Sequence, residues 1–81
     1  MMYALSFRIH KTQEDIIIPM IAQKNGMLSE DNVDGLKDSE TPKFKKCTAL
    51  FDCLEDANAF IYGAMQRFGV YFFIVELIKF E

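Results

Sequence analysis

Residues 44 to 81, FKKCTALFDCLEDANAFIYGAMQRFGVYFFIVELIKFE, read as strand, helix and strand. The helix is marked by Leu54, Ala57, Ile61, Ala64, Met65 and Phe68, which recur at helical spacing and form one apolar stripe. Asp52 stands where an N-cap belongs, Glu55 three residues on completes a capping box, and Gly69 supplies a left-handed residue to end the helix. Val70 then starts the last strand, which runs back along the helix. With Phe44 to Phe51 before it, the unit has two parallel strands joined by a right-handed crossover. By strict alternation the last strand carries Val70, Phe72, Ile74, Ile78 and Phe80 on one face. Tyr71, Phe73, Val75 and Leu77 lie on the other, and only Glu76, Lys79 and Glu81 are charged. A strand with one buried face alternates apolar with polar. This strand therefore calls for cover on both sides, and a chain of 81 residues has little material to supply it. A partner surface is the natural source.

Upstream, Tyr3, Leu5, Phe7 and Ile9 alternate with Ala4, Ser6, Arg8 and His10, which predicts a strand with one face toward the core. The run Ile16-Ile17-Ile18-Pro19-Met20-Ile21 is ambiguous. Thr12 with Asp15 resembles a helix-opening box, whereas consecutive β-branched residues and a central proline oppose a continuous helix. The favoured reading is a strand, paired with the first as a hairpin through Lys11 to Glu14, with Pro19 at an edge or bulge. In the helical alternative Pro19 starts a short helix ending near Gly26. Residues 28–43 form a long, mostly acidic loop with Gly35, Ser39 and Pro42 as breakers.

The strand–helix–strand unit resembles the second half of a ferredoxin-like fold, in which the first strand of the chain fills the gap between the two crossover strands. Tyr3 to His10 suits that place. The expected architecture is a single α+β domain over 1–81: a small two-layer sandwich, ferredoxin-like or related. It has an antiparallel or mixed sheet of about four strands and one main helix, Leu54 to Phe68. One helix does not cover such a sheet, so its far face takes the acidic loop or another chain.

Composition narrows the function classes. A domain this short buries only roughly 60–65% of its chain's surface on folding, yet 51% of the residues are hydrophobic and 14% aromatic. Net charge is −3, from 9 basic and 12 acidic residues, so no strong field draws nucleic acid or an anionic membrane. The longest apolar runs, Ile16 to Ala22 and Val70 to Val75, fall far short of the ~20 residues that span a bilayer. Met1 to His10 lacks the pattern of a secretory signal, and the expected location is cytoplasmic. Cys47 and Cys53, with five residues between them, match neither a redox nor a zinc pattern and are expected to be reduced thiols. Cys47 shares a strand face with Phe51 and belongs in the core; Cys53 opens the helix and should be more exposed.

The chemical constellations are weak. Glu30-Asp31-Asn32-Val33-Asp34-Gly35 partly resembles a calcium loop, but Thr41 falls where the bidentate glutamate is needed, leaving a solvated acidic loop as the reading. His10 is the sole histidine and has no identifiable catalytic partner, which makes it a surface or strand-end residue. Tyr3, Phe7, Tyr71 and Phe73 suggest a base-stacking platform, but the cations are scattered and an aromatic core or dimer interface is the better account. No catalytic residue, metal or cofactor is predicted.

The expected function is therefore protein binding without catalysis, by self-association, as a dimer, through the sheet face carrying the last strand. Tyr71, Phe72, Phe73, Ile74 and Val75 are expected to divide between core and interface. One alternative is a dimeric α+β-barrel-type small-molecule-binding protein or enzyme, in which His10, Tyr3 or Tyr71 faces an apolar pocket. Another is an inhibitor or adaptor that docks on a protein partner through Glu30, Asp31, Asp34, Asp38 and Glu40.

Overall fold

The structure is a computed structural model that describes residues 2–29 and 43–80. Strand β1 (Met2–His10) leads through a 3-10 turn, Lys11–Gln13, into helix α1 (Glu14–Gln23) and the short strand β2 (Gly26–Leu28). Strand β3 (Phe44–Phe51), helix α2 (Leu54–Phe68) and strand β4 (Phe72–Phe80) complete the chain. The sheet order is β2-β3-β1-β4, with every neighbouring pair antiparallel. β3 and β4 are thus parallel to each other with β1 between them, as the ferredoxin-like resemblance requires. The result is a two-layer α+β sandwich.

The first helix of that fold, which the residue pattern disfavoured, is present. Ile16 to Ile21 is not a strand, makes no hairpin with β1, and Pro19 lies inside α1 rather than at a sheet edge or a helix start. Low intrinsic propensity costs at most about 0.7 kcal/mol at each isoleucine. Full burial of such a side chain returns roughly 1.5–3 kcal/mol, and Ile17 and Ile21, one turn apart, are both buried against the sheet. Pro19 is exposed, as is Asp15 four residues earlier, so the carbonyl that lacks a partner is on the water side. Glu14 and Asp15 suit the helix's positive end.

The turn out of α1 is narrow. Asn25 adopts a left-handed φ of 62°, a conformation that asparagine tolerates better than most residues. At Gly26 a Cβ atom would lie 2.4 Å from the Phe51 ring and 2.9 Å from Ile21. Only glycine lets β2 enter the sheet this close to the core.

α2 has the predicted bounds but a different start. Cys53, not Asp52, is the N-cap, and its side chain makes no capping bond; the first turn is closed by the Ala57 N–H donating to the Cys53 carbonyl. The buried stripe is Ala57, Phe60, Ala64 and Phe68, so Phe60 replaces Leu54 and Met65, both of which are exposed. Gly69, at φ 55°, ends the helix as expected, and a 3-10 turn, Gly69–Tyr71, delays β4 by two residues. The core is built on rings: Phe60 lies 5.7 Å from Phe7, 5.6 Å from Phe51 and 6.0 Å from Phe72, centroid to centroid.

The faces of β4 differ from strict alternation. Phe72 and Ile74 stand opposite Ile9 and Phe7, but Leu77 stands opposite Leu5, and the register shifts between Ser6 and Phe7. Val75 is the extra residue of a β-bulge, which inverts the phase of everything after it. Ile78 and Phe80 therefore share a face with Phe73, not with Phe72. The loop expected over 28–43 is shorter at both ends: Leu28 belongs to β2, the Ser29 N–H donates to the Thr48 carbonyl at 2.8 Å, and the Lys11 N–H donates to the Lys43 carbonyl at 2.9 Å. Glu30, Asp31, Asp34, Asp38 and Glu40 lie outside the described residues.

Candidate functional site

Both helices pack on one face of the sheet, where Leu5, Phe7, Ile9, Cys47, Ala49 and Phe51 point. No described element covers the other face. Cross-strand register arranges that open face in rows running β3, β1, β4: Leu50–Ala4–Ile78, then Thr48–Ser6–Glu76, then Lys46–Arg8–Phe73. Met27 extends the first row from β2, and Met2 with Phe80 lies beyond it. Phe44 and His10 stand opposite each other beyond the third.

One end of this face is apolar, with Leu50, Ile78 and Phe80, and the other is aromatic and basic. At the aromatic end His10 is 5.2 Å from Phe44 and 4.8 Å from Tyr71, and Phe44 is 5.5 Å from Phe73, all between ring centroids. His10 Nδ1 accepts from the Thr12 N–H at 3.3 Å and lies 2.8 Å from Thr12 Oγ1, which caps the turn into α1. Between the two ends, Ser6 and Thr48 hydroxyls meet at 3.3 Å. Exposed large apolar side chains on this side include Met27, Phe73, Ile78 and Phe80, the last three 43–46% accessible.

The expected interface residues divide in a definite way. Phe72 is core, 5.3 Å from Phe7 and 6.4 Å from Phe68. Ile74 is on the helix side near the edge, Val75 sits at the bulge, and Tyr71 and Phe73 belong to the open side. The stacking platform is broken up, because Phe7 is fully buried and Tyr3 stands opposite Phe51 on the core side. Leu50, Ile78, Phe80, Lys46 and Glu76 were not assigned to the interface from the sequence, and Ile78 and Phe80 were put on the face of Phe72; their placement depends on register and on the bulge, neither of which has a local residue signature.

Elsewhere, an open groove of about 600 Å³ runs along α1 and α2, lined by Ile16, Pro19, Met20, Gly63 and Arg67 among others. None of His10, Tyr3 and Tyr71 lines it. Cys47 is buried and burial pushes its thiol upward in pKa, with Lys45 pulling it down and Glu14 pushing it up; Lys45 and Glu14 form an ion pair with each other. Both cysteines are free thiols, and Cys53 is the more accessible, as expected. Among the described residues no helix is long and apolar enough to cross a membrane, and no group of three or more His, Cys, Asp or Glu side chains is placed to hold a metal. No protein-family description matches the chain, and no curated protein or solved structure is significantly similar to it.

Proposed function

We propose that this protein works by binding protein through the open face of its sheet, without catalysis, and that its partner is a second copy of itself. The observation that carries the reading is the run of half-exposed apolar side chains on β4 and its neighbours, on a face that no described element covers. Each has about 1 kcal/mol still to gain, roughly half of a full burial. Met27, Tyr71, Phe73, Ile78 and Phe80, counted on both copies, thus contribute about 10 kcal/mol, against an association cost of about 4–15 kcal/mol. The dimer is expected to be weak and to dissociate on dilution. Two free thiols fit a reducing compartment, and the cytoplasm is the proposed location.

Two substitutions at neighbouring positions test the reading. Phe73→Glu should leave a folded monomer, because Phe73 belongs to the open side. Phe72→Glu should unfold the chain, because it places a charge among Phe7, Phe60 and Phe68. Size-exclusion light scattering with circular dichroism on both variants gives the answer. A Phe73→Glu protein that keeps the mass of an associated wild type would sink the proposal.

A further inference from the structure

His10, the sole histidine of the chain, stands where three features meet. It ends β1, it caps the 3-10 turn Lys11–Gln13 that leads into α1, and its ring joins the aromatic end of the open face. We infer that His10 is a pH-sensitive latch: neutral, it holds the turn into α1 and the aromatic end of the open face, and protonated, it loosens both. The latch belongs to the single chain and works with or without a second copy.

Hydrogen bonds fix the state of the ring. A backbone N–H can only donate, so the bond from the Thr12 N–H at 3.3 Å requires a lone pair on His10 Nδ1. The Thr12 hydroxyl oxygen lies 2.8 Å from that same nitrogen and accepts from the Gln13 side-chain amide at 3.2 Å, which keeps its own hydrogen for Nδ1. Both bonds call for the neutral ring with its hydrogen on Nε2. So held, the imidazole lies against Phe44, 5.2 Å away and edge-on at 81°, and against Tyr71, 4.8 Å away, both between centroids. Phe44 in turn meets Phe73 at 5.5 Å. One ring thus ties the start of α1 to three aromatic side chains of the open face.

A proton on Nδ1 removes the acceptor. Imidazolium donates from both nitrogens, so no rotation of the ring restores the bond from the Thr12 N–H, and turning it away breaks the contacts with Phe44 and Tyr71. The new charge is also badly placed, because the positive end of α1 lies at this turn. Lys11 follows in the turn, Lys43 and Lys46 lie on either side of Phe44, and Arg8, which has an interaction of its own, precedes on the same face of β1. The carboxylates toward this end are Asp15 in the first turn of α1, Glu14, which is paired with Lys45, and Glu76 two rows away on β4; Tyr71 adds a phenol. A contact made only by the neutral ring stabilises the fold above the histidine range and is lost as pH falls through it, from about 8 to about 5.

The test compares wild type with His10→Asn, whose side-chain carbonyl accepts as an N-cap at every pH. Both are titrated with denaturant at about pH 8 and about pH 5, at a concentration low enough to keep the chain monomeric. Carboxylates titrate in both proteins, so the difference between their pH responses isolates His10. On acidification the folding equilibrium constant of wild type should fall about threefold to tenfold further than that of His10→Asn, the worth of one ordinary hydrogen bond. Equal responses overturn the latch. So does a wild type that gains on acidification relative to the variant, since Phe44 and Tyr71 would then be holding the imidazolium as a cation. A second reading uses wild type alone. Nitrogen chemical shifts of the ring at about pH 8 should place its hydrogen on Nε2, and protection of the Thr12 amide from exchange, corrected for the intrinsic rate, should fall on acidification. A hydrogen on Nδ1 at that pH, or Thr12 protection that does not change, would contradict the inference.

Discussion

The two faces of the sheet are built from the same strands, and β4 gives large apolar side chains to both, yet those side chains have opposite fates. Toward the helices, Leu5, Phe7 and Ile9 on β1 are fully buried, and α2 and α1 lay Phe60, Phe68, Ile17 and Ile21 over them. On the other side, Phe73, Ile78 and Phe80 hold rings and branched chains of the same kind at nearly half exposure. On β1 the alternation of apolar and polar residues identifies the core side, but on β4 apolar residues do not. What decides it is where the helices pack, and no described element lies over the face they leave. The comparison also separates two kinds of substitution, those that reach stability and those that reach association.

The sharpest break should come on the helix side. Phe60→Ala removes the ring that joins Phe7, Phe51 and Phe72, and should cost about 3–5 kcal/mol in a denaturant titration. A domain of this size has little more than that in total, so the variant should be largely unfolded in water. A loss under about 1 kcal/mol would mean that the aromatic core is not packed as described. Gly26→Ala should follow at about 1–3 kcal/mol, since the new methyl collides with Phe51 and Ile21; its denaturation midpoint at unchanged slope is the check.

The open face should respond the other way. Ile78→Glu, measured at a concentration where wild type is monomeric, should change unfolding free energy by no more than about 0.5 kcal/mol, while the dimer is lost at any concentration. If Ile78→Glu destabilises the monomer as much as Gly26→Ala does, the two faces are not distinct. The smallest effect belongs to Cys47. Its folded thiol keeps its proton to higher pH than in the unfolded chain, so the unfolded state ionises first. That contribution is complete below the ordinary thiol range and is lost as pH rises through it. Stability should decline on the alkaline side more steeply in wild type than in Cys47→Ala, as measured by denaturant midpoints from about pH 7 to pH 10.

Much of this architecture is legible in the residues. The alternation of Tyr3 to His10, the α2 bounds and the parallel relation of β3 to β4 follow from periodicity and from Gly69. Helix α1 does not, because its isoleucines and Pro19 argue locally for a strand, and only burial of Ile17 and Ile21 against a sheet formed by distant residues reverses that. The bulge at Val75 is equally silent, having no glycine or asparagine to mark it, and it moves Ile78 and Phe80 to the face opposite the one that alternation assigns. Of the open surface, Tyr71 and Phe73 were visible in the sequence as aromatic interface residues. The alignment of Lys46, Arg8 and Glu76 was not, since it exists only once three strands are in register.

The most direct measurement is the molar mass of the wild-type chain by light scattering on a size-exclusion column across a dilution series. The account predicts a mass that rises with concentration from 9.4 kDa toward twice that value. A constant 9.4 kDa up to about millimolar protein, where even a weak interface of about 4 kcal/mol would be populated, would contradict it.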